Sequence, residues 1–302
     1  MSPTRRETLA TLGTVALGGL LVPRAGATQT SESATQERMA HAGTNEASVL
    51  STGRLRQSVA RWCFPRIALA DLCAAGRAMG LAGIDLLDEK DWLVPTQHGL
   101  KCAIGNSFGS IAKGFNRPDH HDELVAAGSA MIPKAAAAGV ERIVVFSGNR
   151  AGLSDGEGIA NCVAGLKRLM PLAEQHGVTL CMEMLNSKVD HKDYHADHTA
   201  WAAEVVRGVS SPRFRLLYDV YHMQIMEGDV IATIRKYTDM IAHYHTAGVP
   251  GRNEIDTMQE LNYPRIAGVI ADTGFTGFVA HEFMPKRDAL TSLREAVAVC
   301  TV

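Results

Sequence analysis

Four residues stand out by type and by what precedes them. Glu183 follows Val178-Thr179-Leu180-Cys181-Met182, and Asp219 follows Phe214-Arg215-Leu216-Leu217-Tyr218. His245 closes the run from Met240 to Tyr244, and Glu282 closes the run from Gly277 to His281. Short apolar runs of this kind read as buried strands. A carboxylate at the end of a buried strand is costly alone. Several brought together repel unless a cation sits among them. Three carboxylates and one imidazole suit a hard or borderline divalent ion such as Mg²⁺, Mn²⁺ or Co²⁺. Taken singly, each residue reads as well as an ion-pair partner or a helix cap. Four at equivalent strand ends favour the metal reading.

The elements that must carry them alternate along the chain. Strand-like runs are expected at 57–64, 83–87, 100–104, 142–146, 178–182, 214–218, 240–244 and 277–281. Helical patterns fall at 69–79, 122–138, 158–176, 198–209, 229–237, 263–273 and 290–299, several of them stopped by a glycine such as Gly139, Gly177 or Gly274. Continuous apolar strands with helical crossovers imply a parallel sheet covered by helices. Eight such units in about 250 residues point to closure as a (β/α)8 TIM barrel, whose active site lies at the C-terminal strand ends. An open doubly wound sheet is weakened by the lack of a Gly-x-Gly-x-x-Gly after the first strand.

The first residues read differently. Arg5-Arg6 precedes an apolar run from Leu9 to Val22, and Ala25-Gly26-Ala27 offers small residues for cleavage. The run is shorter than the ~20 residues a membrane span needs. A twin-arginine signal peptide over residues 1–27 is expected, with an extracytoplasmic destination and no stable membrane span after cleavage. Residues 28–53, rich in Ser, Thr, Gln, Ala and Glu, read as a disordered linker. The barrel is then 54–302. The whole chain carries a formal charge of −2; losing Arg5, Arg6, Arg24 and Glu7 removes a net +2 and leaves −4. Such a balance disfavours nucleic acid as a partner. Six cysteines are present without a Cys-x-x-Cys pair, so buried free thiols are expected rather than a thiolate zinc site.

Three segments together resemble the hydroxypyruvate isomerase family of xylose isomerase-like barrels, relatives of the tagatose and allulose 3-epimerases. They are His222-Met223-Gln224-Ile225-Met226-Glu227-Gly228-Asp229, then His243 to Arg252 with its Val-Pro-Gly-Arg run, then Glu260-Leu261-Asn262-Tyr263. The resemblance covers 56–302. It implies one divalent metal held by Glu183, Asp219, His245 and Glu282, proton exchange by Glu183 and Glu282, and substrate contact by His222 and Arg252. Asn253 stands where many relatives have His, and Thr257-Met258-Gln259-Glu260 replaces Gly-Thr-Gly-Glu. These departures bear on substrate identity more than on chemistry.

The implied reaction moves a proton between neighbouring carbons of an α-hydroxy carbonyl through an enediolate, hydroxypyruvate giving 2-hydroxy-3-oxopropanoate. Arg252 would fork a substrate carboxylate, or else pair with Glu254 or Asp256. His222 would polarise a substrate oxygen or hydrogen-bond Asp219. Among weaker candidates, Lys188 and His191 sit in a rim loop that reads as solvated. His120-His121-Asp122 reads as a helix cap, and Ser147-Gly148-Asn149-Arg150 as part of the active face. Trp62 would pave the pocket or fill the barrel, and Asp85 could point either way. Epimerisation or isomerisation of a larger ketose or keto-sugar stays open, favoured somewhat by export. A non-catalytic sugar-binding barrel would be expected only if one proton-transfer glutamate were missing. A metal-dependent nuclease would need further ligands and a basic groove. The substrate class is a small hydroxy-oxo acid or sugar, and homo-oligomerisation stays open.

Overall fold

The computed structural model describes residues 53–302; the signal-peptide and linker readings fall on residues outside that range. Eight parallel strands close on themselves in sequence order. They are β1 (Arg56–Ala60), β2 (Gly83–Leu87), β3 (Lys101–Gly105), β4 (Arg142–Val145), β5 (Thr179–Glu183), β6 (Phe214–Asp219), β7 (Ile241–Thr246) and β8 (Phe278–His281). Closure is made by β1 against β8, with Ser58 opposite Ala280. Nine α-helices are found among the described residues: α1 (Leu69–Ala78), α2 (His121–Ala137), α3 (Asp155–Lys167), α4 (Met170–His176), α5 (Thr199–Val209), α6 (Val220–Met226), α7 (Val230–Tyr237), α8 (Tyr263–Asp272) and α9 (Ala289–Cys300).

Most expected elements appear within a few residues of their expected bounds, and the departures have local causes. The helix expected over 158–176 is two. Its start moves back because Ser154 and Glu157 form a capping box, each side chain meeting the other's backbone N–H. Its middle breaks because Pro171 sits in the first turn of α4, where a missing N–H is harmless, and cannot continue a helix from before. The first strand ends at Ala60, and Arg61–Cys63 turn as 3-10. Between β2 and β3 the crossover is two 3-10 turns, Glu89–Asp91 and Pro95–His98, in place of an α-helix. The short α6 follows β6 directly and was absent from the sequence expectation.

Side chains two apart on a strand share a face, which sorts the barrel interior into layers. Glu183 and Asp219 lie in the upper layer, at the C-terminal strand ends. Two residues earlier, Cys181 and Leu217 pack with Ile104 and Val144 as a fully buried apolar floor. Two residues earlier than Leu217 and Val144 come Arg215 and Arg142. Arg142 donates to the carbonyl of Ala242, and Arg215 to those of Ser211 and Phe214. The lower mouth is thus tied off by guanidinium-to-carbonyl bonds.

All six cysteines are free and buried, as the sequence suggested. Burial pushes the thiols of Cys181 and Cys300 up to about 12. Thiolate is the reactive form, so the folded chain is expected to react slowly with a chromogenic disulfide reagent at neutral pH and to release all six equivalents on denaturation.

Candidate active site

Glu183, Asp219, His245 and Glu282 come together at the upper mouth, and one ligand atom from each lies within 4.8 Å of all the others. All four residues are buried. His245 Nδ1 is 2.6 Å from Glu282 Oε2 and 3.3 Å from Glu183 Oε1. Neither contact has hydrogen-bond geometry, so Nδ1 is a buried nitrogen without a hydrogen-bond partner among the described residues. An imidazole nitrogen without a hydrogen-bond partner, set among three carboxylates, is the donor set of a divalent cation once deprotonated, so the residues fit such an ion.

Local structure places each group. Asp219 ends β6 and caps α6, its Oδ1 accepting from the Tyr221 backbone N–H at 2.9 Å. That leaves Oδ2 facing the cradle. One helical turn on, His222 folds back toward the same carboxylate, with Nε2 3.5 Å from Asp219 Oδ2. Its Nδ1 faces the Asn186 side-chain amide at 2.6 Å. Burial, and next the Arg252 charge, hold His222 well below the usual imidazole range, so it is neutral.

Arg252 reaches the centre of the cluster. It lies in a tight turn after β7, where Gly251 and Arg252 both take left-handed backbone conformations, φ +93° and +57°. The turn is closed by Gly248 N–H to the Asn253 carbonyl at 2.8 Å, and the Arg252 carbonyl is tied to Met284 N–H at 2.7 Å. Its Nη2 donates to Asp219 Oδ2 at 3.0 Å and Glu282 Oε2 at 2.6 Å. The guanidinium is flanked by the rings of Tyr221 and Trp62, at 5.1 and 5.6 Å. The sequence alternative, a pair with Glu254 or Asp256, falls to Arg287 instead.

The electrostatics follow from this crowding. Burial opposes the charge of Glu282, but His245 and Arg252 hold its carboxyl well below the ordinary range. Burial pushes Asp219 up to about 7 against the pull of Arg252, with Glu282 adding to the rise. A cation needs the carboxylate form. Burial disfavours a charged His245, but Glu282, Asp85 and Glu183 raise it well above the usual imidazole range, so it too must shed a proton; divalent-ion affinity is therefore expected to fall as the pH drops through about 7 and to go on rising above it. Mn²⁺ titrations between acid and neutral pH, with proton release followed in parallel, check this.

Other candidates resolve one by one. Trp62 sits on the rim and donates from Nε1 to Glu282 Oε1 at 2.6 Å. Asp85 points into the barrel, its Oδ2 2.5 Å from His243 Nε2. His191 is in the mouth, its ring 5.3 Å from that of His222. Lys188 caps α6 through the carbonyls of Ile225 and Met226. The helix-cap expectation for His120-His121 fails: neither side chain caps α2, and His121 instead bonds the Phe115 carbonyl at 2.8 Å. Ser147 is fully buried and accepts from Ala196 N–H, bracing the loop after β5. Asn253 Nδ2 donates to the Met284 carbonyl, so it pins the Arg252 turn to the loop after β8.

Fold and site together define a parallel barrel whose upper mouth can hold a divalent cation beside an arginine and a neutral histidine. Residues 96–300 match the family model for the xylose isomerase-like TIM barrel, and the chain belongs to that family. It is 34% identical over 122 residues to a putative hydroxypyruvate isomerase of Homo sapiens, covering 40% of this chain and 44% of that one. It is 29% identical over 178 residues to the hydroxypyruvate isomerase of Escherichia coli K12, covering 59% and 68%. Other matched relatives are named 2-oxo-tetronate isomerase. The chain spans about half the length of the first curated relatives it matches. The solved structure of an AP endonuclease family 2 protein from Brucella melitensis superposes with a TM-score of 0.71 at 23% identity, covering 79% of this chain and 97% of that one.

Proposed function

We propose that this chain is a metal-dependent isomerase of a short hydroxy-oxo acid, converting hydroxypyruvate to 2-hydroxy-3-oxopropanoate. The observation that carries the reading is the meeting of two glutamates, Glu183 and Glu282, at one nitrogen, His245 Nδ1. The names of the matched relatives support the substrate class. When bound by Glu183, Asp219, His245 and Glu282, a divalent ion would supply charge stabilisation for the developing enediolate.

The chain's own groups divide the remaining work. Glu282 is held by three partners, Trp62, Arg252 and His245, and so is fixed and anionic. Among the described residues the Glu183 carboxylate pairs with His245 alone, so it has the freedom to take a proton from one substrate carbon. Glu183 then returns that proton to the neighbouring carbon, while anionic Glu282 takes the proton from the substrate hydroxyl and passes it to the neighbouring oxygen. Arg252 offers a planar fork to a substrate carboxylate. Neutral His222 faces the same space and orients a substrate oxygen. Trp62 and Tyr221 hold the guanidinium plane.

A four-carbon hydroxy-oxo acid is the second reading, favoured by the relatives named 2-oxo-tetronate isomerase. Both readings are tested by incubating Mn²⁺-loaded protein in deuterated water with hydroxypyruvate, 2-oxo-tetronate or a panel of ketoses and following deuterium by NMR. Metal-dependent conversion of hydroxypyruvate, lost in Glu183→Gln, is the expected result. Turnover of longer substrates only would keep the mechanism and overturn the substrate. No exchange with any of them, despite one bound ion, would leave a binding protein.

A further inference from the structure

Beneath the cradle lies a polar pair that the proton transfer does not use. His243 and His245 are two apart on β7, so both imidazoles point into the barrel. Asp85, on β2 and not adjacent to β7 in the sheet, projects between them. All three side chains are fully buried. Asp85 Oδ2 lies 2.5 Å from His243 Nε2 and 3.5 Å from His245 Nε2. The two rings meet edge to face, 5.2 Å apart at 86°. Asp85 therefore faces the nitrogen of His245 that points away from the cradle, close to it but without hydrogen-bond geometry in the metal-free chain, while Nδ1 faces Glu183 and Glu282.

A neutral imidazole has one N–H and one bare nitrogen, and only the bare one can ligate a metal. An acceptor on one nitrogen decides which it is. We propose that Asp85 is a positioning residue that holds His245 with its Nε2–H downward and its bare Nδ1 toward the cation, and that His243 is the clamp that fixes the carboxylate. The inference rests on the metal reading of the site and extends it to a residue outside the four ligands. A buried Asp–His pair is expensive by itself and is often replaceable by apolar side chains. Contact with a ligand histidine gives this one a task. The rival reading is a second ion held by Asp85, His243 and His245, whose donor atoms also lie within 4.8 Å of one another. It is disfavoured because Asp85 Oδ2 already takes a short hydrogen bond from His243.

The test uses the full chain with Mn²⁺ as probe. Asp85→Ala is expected to keep its circular dichroism and to bind Mn²⁺ about 10–100-fold more weakly, the usual effect of losing such a partner. Asp85→Asn retains an acceptor oxygen and should fall between the two. Wild-type chain should bind one ion. Nitrogen-15 spectra of the Zn²⁺-loaded wild-type chain read the tautomer without any substitution. His245 should show a metal-bound Nδ1 and a protonated Nε2. The proposal is overturned by unchanged Mn²⁺ affinity in folded Asp85→Ala. Two ions in the wild type with one lost in the variant, or a protonated Nδ1 with Nε2 on the metal, overturn it equally. If Asp85→Ala does not fold, the wild-type spectrum decides alone. A wild-type chain that binds no ion sinks this proposal and the metal reading together. One that binds an ion yet turns over no substrate sinks only the isomerase reading.

Discussion

Glu282→Gln is expected to lower turnover by about 10²–10⁴-fold, the range general acid–base groups contribute, with the barrel still folded. The substitution keeps size and shape but removes the charge. It also places an amide N–H₂ where Glu282 now meets His245 Nδ1 and the Arg252 guanidinium, each at 2.6 Å. The amide oxygen can keep the bond from Trp62 Nε1, but an amide is neither a proton carrier nor a good ligand for a divalent ion. Metal affinity should fall with turnover. The two effects separate by assaying at saturating Mn²⁺, where any lost rate that persists belongs to proton transfer. A variant within a few-fold of wild type under those conditions would remove Glu282 from the chemistry. Glu183→Gln should show a similar rate loss with a smaller change in fold stability, because its carboxylate has fewer partners to disappoint.

Arg252→Ala is expected to destabilise the metal-free chain by about 3 kcal/mol, the lower end of the cost of stripping a partner from a buried ion pair. The lower end applies because the side chain is 14% exposed. Asp219 and Glu282 would then face each other without the guanidinium between them. For a domain of this size the shift is about 6–12 °C in Tm. Saturating Mn²⁺ should close most of that gap, since a cation in the cradle neutralises the same carboxylates. Substrate binding should suffer whatever the metal content, because the fork that meets a carboxylate is gone. Arg252→Lys would not restore it, a point charge being a poor substitute for a planar fork. Thermal unfolding with and without Mn²⁺ measures the first effect and KM the second. Equal stability of variant and wild type without metal would show that the pair contributes nothing.

The sequence made the barrel legible because each strand is a short apolar run and several helices have a glycine stop. It made the four cradle residues legible because each ends such a run. What it hid were relations across the barrel. Asp85 meets His243 and His245 through closure of the sheet, and no local spacing shows which way a single aspartate inside an apolar strand points. Trp62 was visible as an aromatic that would pave the pocket or fill the barrel, but its bond to Glu282 joins the segments after the first and last strands and depends on the same closure. Tyr221 under Arg252 was hidden because α6, only seven residues long, carries no periodic signal. The capping box at Ser154 and Glu157 was a readable signal and places the start of α3 where it lies.

The apolar floor of Ile104, Val144, Cys181 and Leu217 has a kinetic consequence. Together with the buried Asp85 and His243 in the same layer, it backs the cradle from below, so ion, substrate and product share one doorway. Whatever enters first is covered by what enters second. On the proposed function the ion lies deepest and the substrate above it, so exchange runs last in, first out. Saturating substrate should therefore slow the removal of the ion by a chelator, although the chelator itself never meets the substrate.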